Sequence, residues 1–122
     1  MTFAYWMLLA AAILPYLTVA LAKSGGIDNR APRPYLENLS GWRRRAEWAH
    51  RNHFEAFPIF AAAVFVAELA HAPQGRIDLL TGGFVLLRIV YTALYIADQP
   101  TARSIVWSLA FGIVIWLFAA GL

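Results

Sequence analysis

The sequence contains no cysteine. This absence excludes disulfide bonds, metal sites with cysteine ligands and catalysis by a protein thiol, but it does not exclude a thiol on the substrate. Histidine is the other common metal ligand, and His50 and His53 lack a convincing third ligand in the sequence. We therefore predict no metal site.

Charged residues are also scarce, at 14% of the 122 residues, whereas hydrophobic residues make up 61%. Such a chain is too apolar for an ordinary soluble domain and is typical of an integral membrane protein. The formal net charge of +3 is weak support for nucleic-acid binding, because most of the cations lie in one segment between apolar runs. We therefore expect membrane lipid around the protein and no nucleic-acid partner.

Four apolar runs predict four membrane-spanning helices, at about residues 3–21, 42–70, 76–97 and 101–121. Each approaches or exceeds the roughly 20 residues that a spanning helix needs. Pro15 predicts a kink in the first helix. Pro32 and Pro34 predict an irregular connection after it, and Ser40 is a candidate cap for the second helix. We predict a single all-α domain, residues 1–122, folded as a transmembrane four-helix bundle.

The connection between the first two helices is rich in cations and has few acidic residues, Asp28 and Glu37. Its cations are Lys23, Arg30, Arg33, Arg43, Arg44 and Arg45. By the positive-inside rule this segment faces the cytoplasm, so both termini face outside. We expect the Arg43–Arg45 run to anchor on anionic lipid headgroups, with direct ligand contact as the alternative. The expected location is a bacterial inner membrane.

Polar residues interrupt the apolar sequence of the second helix in the stretch His50–Pro58. Arg51, Asn52 and Glu55 place a cation, an amide and a carboxylate within two turns. Charges inside a bilayer are costly, so they usually face a bundle interior, a partner chain or a water-filled cavity. This stretch is therefore the predicted centre of a ligand site.

Neighbouring helices bring more polar residues to the same depth. The third helix runs antiparallel to the second, so its Arg88, Tyr91 and Tyr95 approach the same cytoplasmic face, and Arg103 and Ser104 open the fourth helix there. The spacings of three and four also place each set on one helical face. We predict one polar layer shared by three helices.

Within this layer, Asn52 and Arg51 share a helical face with Glu55, and Arg88 is the candidate for an ion pair with Glu55 across the helices. The alternative interpretation is structural: interhelical hydrogen bonds of modest energy hold a bundle together without any ligand.

These residues also form a family pattern. The chain resembles the MAPEG family, the membrane-associated proteins in eicosanoid and glutathione metabolism. The resemblance rests on Ala49-His50-Arg51-Asn52 with Glu55 and Phe57-Pro58, which is similar to the prostaglandin E synthase branch. It rests also on Arg88-x-x-Tyr91-x-x-x-Tyr95, similar to the leukotriene C synthase branch, followed by Arg103-Ser104.

The resemblance implies a homotrimer of four-helix subunits that binds glutathione between subunits near the cytoplasmic face. It implies a glutathione-dependent transferase or peroxidase, of the kind seen in microsomal glutathione transferases, that acts on lipophilic electrophiles from the bilayer. Arg103 would stabilise the thiolate and Ser104 would assist. The expected glutathione-binding residues are Arg51, Asn52, Glu55, Arg88, Tyr91 and Tyr95. The alternative is a non-catalytic membrane protein that binds lipid or an anionic metabolite, or an accessory subunit of a larger complex.

The sequence departs from the family pattern at several positions. Trp48 stands where the relatives carry an arginine, and Ala56 stands where the leukotriene branch has a tyrosine. Trp107 replaces a tyrosine and Tyr91 a histidine of the prostaglandin branch. The lost arginine predicts weaker glutathione binding, whereas the position that stabilises the thiolate is retained at Arg103.

Overall fold

The computed structural model describes residues 1–122 as five helices. They are α1 (Phe3–Lys23), α2 (Pro32–Glu37), α3 (Gly41–Leu69), α4 (Gln74–Ile96) and α5 (Pro100–Ala119). All except α2 are long and apolar enough to cross a membrane. The predicted all-α architecture with four spans is confirmed, and the predicted ends lie within about two residues of the observed ones.

The connection between α1 and α3 is more regular than predicted, because Pro32 opens the short helix α2. Proline is tolerated in the first turn of a helix, where its missing N–H group would have no partner in any case. The expectation that Pro32 and Pro34 keep the middle of this connection irregular was therefore wrong. Ser40 does occupy the N-cap of α3, but its side chain makes no capping hydrogen bond.

The core lies where the four long helices meet. The Phe60 and Phe84 rings stack there with centroids 3.8 Å apart, and Ile77, Val114 and Leu117 are buried beside them. Small side chains let membrane helices approach closely. In this bundle the small side chains at the contacts are six fully buried alanines: Ala4, Ala22, Ala46, Ala49, Ala63 and Ala67.

The outer surface of the bundle is also apolar. Leu79, Leu86 and Trp116 are among the large hydrophobic side chains that remain more than half exposed. A soluble monomer does not present such a surface. The helices therefore face lipid or neighbouring chains on most sides.

Arginines tie helix ends together at the end of the bundle where α1 and α4 finish and α3 and α5 begin, here called the polar end. Arg43 donates through Nε to the Ala22 carbonyl (2.8 Å) and through Nη2 to the Gly26 carbonyl (2.7 Å). Arg45 donates to the Ile96 carbonyl at 3.0 Å. The Ala22 and Ile96 carbonyls lie in the last turns of α1 and α4, where a carbonyl has no partner within its own helix. Arg43 and Arg45 thus bind the protein itself, which differs from the headgroup anchor expected from the sequence.

Candidate functional site

An open groove of about 410 Å³ runs between α3 and α4 at the polar end. We call it the polar groove. The spacing of its α3 residues, at steps of three and four, places them on one face, and Tyr91 and Tyr95 form the opposite wall from α4. Its six lining residues are Trp48, Arg51, Asn52, Glu55, Tyr91 and Tyr95. Five of these belong to the predicted polar layer.

Arg51 is oriented by two carboxylates. Its Nε donates to Glu47 at 2.9 Å and its Nη2 to Glu37 of α2 at 3.2 Å. Glu47 is 4% exposed and also contacts His50 Nδ1 at 3.2 Å. Arg51 shares a helical face with Glu55, as predicted, but its partners are Glu47, one turn toward the start of α3, and Glu37 of α2. A buried carboxylate thus fixes the guanidinium while the side chain stays half exposed.

Asn52 connects the polar groove to α4. Its Nδ2 donates to Glu55 at 3.3 Å, while its Oδ1 accepts from Arg88 Nη2 at 2.8 Å. The predicted ion pair between Arg88 and Glu55 does not form, because the Asn52 amide stands between the two charges. Glu55 remains exposed and its carboxylate has no cationic partner in the chain.

His53, which was not among the predicted site residues, holds Arg88. Arg88 is 2% exposed, and it donates to His53 Nδ1 from Nε (3.2 Å) and Nη2 (2.9 Å). His53 Nε2 lies 2.7 Å from Thr92 Oγ1, which itself donates to the Arg88 carbonyl at 2.9 Å. This arrangement requires the imidazole tautomer with its proton on Nε2. The available signal was Arg88 itself, since a buried guanidinium needs an acceptor on a facing helix.

The two tyrosines of the predicted α4 stripe lie between two cations, Arg88 of the same helix and Arg103 of α5. The Arg88 guanidinium lies 4.3 Å from the Tyr91 ring centre, and the Tyr91 and Tyr95 rings meet edge to face at 5.6 Å. Arg103 of α5 lies 4.2 Å from the Tyr95 ring centre. Such contacts attract a cation to the negative face of the ring. They bring Arg103 beside the polar groove.

Arg103 lines a second cavity, of about 180 Å³, which we call the Arg103 cavity. Trp48 and Tyr95 line both this cavity and the polar groove, with ring centroids 6.3 Å apart. The groove and the Arg103 guanidinium are therefore separated by no more than these two aromatic side chains.

The MAPEG family model matches residues 3–122, nearly the whole chain. The chain belongs to the MAPEG family. It is thus an integral multi-pass membrane protein of the family associated with eicosanoid and glutathione metabolism. No curated protein and no solved structure matches the chain.

In this MAPEG chain Ser104 lies apart from the other predicted residues. It is exposed on the outer face of α5, where it lines a surface groove with Ser108 and Leu109. Ser108 donates to the Ser104 carbonyl at 2.9 Å, one turn along. Within one chain, Ser104 therefore does not reach the polar groove.

The residues that depart from the family pattern shape the site of this MAPEG chain. Trp48 packs under Arg44, whose guanidinium lies 5.0 Å from the indole ring centre. Ala56 and Trp107 line a third cavity of about 120 Å³ between α3, α4 and α5, which we call the inner cavity. Trp107 is stacked on Phe111 in its wall, with ring centroids 5.4 Å apart.

Proposed function

We propose that this protein is a membrane-bound, glutathione-dependent transferase or peroxidase that acts on lipophilic electrophiles. One observation carries the proposal: a polar groove that offers a cation, an amide, a carboxylate and two tyrosines adjoins the Arg103 guanidinium through shared aromatic walls. Glutathione has the complementary groups, namely two carboxylates, two amides, an ammonium group and a thiol.

Arg51 is the proposed partner for a glutathione carboxylate. Its contact with Glu37 joins side chains that are 49% and 58% exposed, and exposed pairs of this kind contribute about 0–1 kcal/mol. A ligand carboxylate therefore displaces Glu37 at little cost, while the buried Glu47 keeps Nε in place. A guanidinium binds a carboxylate through paired, charge-assisted hydrogen bonds.

The other end of the peptide fits the opposite side of the polar groove. Glu55 is exposed and has no cationic partner in the chain, so its carboxylate is available to accept from the ligand ammonium. Tyr91 and Tyr95 face it from α4, and Asn52 is held between Glu55 and Arg88. We propose that Arg88 acts mainly by fixing Asn52.

Arg103 is the proposed catalytic residue, because a nearby cation favours the thiolate over the thiol and the thiolate is the nucleophile. In conjugation, the thiol proton passes to water, the sulfur forms a bond to the electrophilic carbon, and the leaving group, for example chloride, departs with its bonding electrons. In the peroxidase reaction, two glutathione molecules are oxidised to the disulfide while a hydroperoxide is reduced to an alcohol and water.

We further propose a homotrimer with its sites near the cytoplasmic face of a bacterial inner membrane. Ser104 supports an assembly, because it lies on the outer face of α5. There its hydroxyl would assist the site of a neighbouring subunit. The apolar outer surface would admit the lipophilic substrate from the bilayer. Native mass spectrometry in mild detergent is expected to show trimers, and monomers alone would contradict this assembly.

A non-catalytic protein is the second candidate, either a binder of lipid or of an anionic metabolite or an accessory subunit. Two observations favour it: Arg51 already contacts two carboxylates, and Trp48 stands where the family pattern has an arginine. In that case the polar layer is structural.

Isothermal titration of the detergent-solubilised protein with glutathione separates the two candidates. The enzyme proposal predicts saturable binding at millimolar concentration or below, and competition by a glutathione analogue whose thiol is replaced by methyl. It also predicts conjugation of 1-chloro-2,4-dinitrobenzene, followed by absorbance. Absence of binding at millimolar glutathione would favour the structural role.

A further inference from the structure

The inner cavity is an apolar space with one polar end. Aromatic and aliphatic side chains form most of its wall, including Phe84, Trp107 and Phe111. Asn52, Glu55 and Arg88 form its polar end. Ligand sites typically combine an apolar lining with a few convergent polar groups.

Arg88 brings an unused donor to this cavity. Its Nε and Nη2 are bound to His53 and Asn52, but its Nη1 donates to no protein group. No fully buried polar side-chain atom of the protein lacks a hydrogen-bond partner, so Nη1 retains accessible surface. Arg88 is 2% exposed and lines the inner cavity. The small accessible surface of Nη1 is therefore assigned to this cavity. A donor in such a place is satisfied by water or by an acceptor on a ligand.

The cavity volume limits what enters. At about 120 Å³ it is slightly smaller than an engineered apolar cavity of about 150 Å³ that binds benzene. One six-membered aromatic ring therefore fits after small side-chain movements, whereas two fused rings do not. Ile59, Trp107 and Phe111 are each about 40% exposed, so the ring enters between α3 and α5 from the side that faces lipid or a neighbouring chain.

The inner cavity also shares a wall with the polar groove, because Asn52 and Glu55 line both. We propose that the inner cavity binds the apolar part of the second substrate: a single aromatic ring bearing a hydrogen-bond acceptor, such as a carbonyl or nitro oxygen, that accepts from Arg88 Nη1. This inference rests on the proposed function, since it assigns the substrate class of that site. The ring and the peptide then lie on opposite sides of Asn52.

Binding can be measured without glutathione, so that this proposal and the enzyme proposal fail independently. The protein in lipid nanodiscs is titrated into 4-fluoroacetophenone and followed by fluorine NMR, with empty nanodiscs as the blank. Saturable binding above the blank is expected. Replacing the ketone by ethyl, as in 1-ethyl-4-fluorobenzene, should weaken binding about tenfold, because a hydrogen bond to a charged group is lost. The two-ring analogue 6-fluoro-2-acetylnaphthalene should show no saturable binding.

Paired variants locate the ring. Ile59→Trp fills the cavity from a position that is 41% exposed, whereas Ile115→Trp makes the same change on α5 at a position that is 56% exposed and outside the cavity. Ile59→Trp should abolish ketone binding and Ile115→Trp should retain it. Circular dichroism checks that both variants remain folded. If Ile59→Trp does not fold, the comparison of the ketone with its ethyl and two-ring analogues on the wild type tests the proposal.

Equal binding by the two-ring ketone, unchanged binding in folded Ile59→Trp, or no signal above empty nanodiscs would overturn the inference. If the ring binds in the cavity and glutathione is never conjugated, the inference stands and the enzyme proposal fails. If glutathione is conjugated while the inner cavity binds no ring, the enzyme proposal stands and the inference fails.

Discussion

Arg88 is held by His53 through two hydrogen bonds, 3.2 Å from Nε and 2.9 Å from Nη2 to the same imidazole nitrogen. A buried guanidinium is more often paired with a carboxylate, because an unpaired charge is expensive to bury. Here a neutral acceptor serves instead, and the nearby carboxylate, Glu55, stays exposed in the polar groove. The bundle thus fixes one charge and leaves the other available to a ligand.

The first prediction tests this contact. His53→Leu keeps a similar volume but leaves Arg88 Nε without an acceptor and Nη2 with Asn52 alone, so the free energy of unfolding should fall by about 3 kcal/mol. Thr92→Val removes only the hydroxyl next to His53 and should cost about 1 kcal/mol. Unfolding in mild detergent, followed by circular dichroism, measures both. A stability of His53→Leu equal to that of the wild type would contradict the role of His53.

The second prediction separates a helix cap from a lipid anchor. Arg43→Ala leaves the Ala22 and Gly26 carbonyls without their donor, so stability in neutral detergent should fall by about 1–2 kcal/mol. The adjacent Arg44 binds no carbonyl, and Arg44→Ala should change stability by less than about 0.5 kcal/mol. Similar losses for the two variants would argue against the capping role.

The third prediction concerns competition for Arg51. Glu37→Gln weakens an exposed carboxylate contact that a ligand must displace, so glutathione affinity should rise by up to about fivefold. Glu47→Gln should instead lower the affinity, because it weakens the buried contact that orients Nε. Isothermal titration of both variants gives the comparison. A fall in affinity for Glu37→Gln would mean that α2 positions Arg51 for the ligand and does not compete with it.

The fourth prediction concerns orientation in the membrane. Because the chain has no cysteine, single labels can be placed at Ser24→Cys and Gln74→Cys without other changes. Membrane-impermeant maleimide applied to intact cells should modify Gln74→Cys and spare Ser24→Cys, since the cation-rich connection is expected inside. Labelling of Ser24→Cys from outside would reverse the proposed topology.

The length of the apolar runs predicted the four spans well, because it depends on local sequence alone. The stripe of Arg88, Tyr91 and Tyr95 was predictable for the same reason, since a spacing of three and four fixes a helical face. Arg103 was expected at the same depth as this stripe, and it lies beside the polar groove, in the Arg103 cavity.

The side-chain partners that the sequence did not predict depend on how each helix is rotated about its own axis relative to its neighbours. Glu47 and Arg51 have the spacing of a pair, but nothing local chooses Glu47 over Glu55 as the partner of Arg51. His53 became the acceptor for Arg88 because it lies on the buried side of α3, next to the groove-facing Asn52. Ser104 follows Arg103 directly, yet the rotation of about 100° per helical residue turns it to the outer face of α5.

The fifth prediction tests the central claim, that Arg103 stabilises the thiolate of bound glutathione. The measurement is thiolate absorbance against pH with bound glutathione, together with turnover of 1-chloro-2,4-dinitrobenzene, for wild type, Arg103→Ala and Glu55→Gln. One well-placed cation lowers a thiol pKa by about one to three units. Arg103→Ala should therefore raise the pKa of the bound thiol by that amount and slow conjugation at neutral pH, with most of the peptide affinity retained. Glu55→Gln should weaken binding and leave the thiol pKa unchanged. An unchanged thiol titration and unchanged turnover in Arg103→Ala would contradict the account.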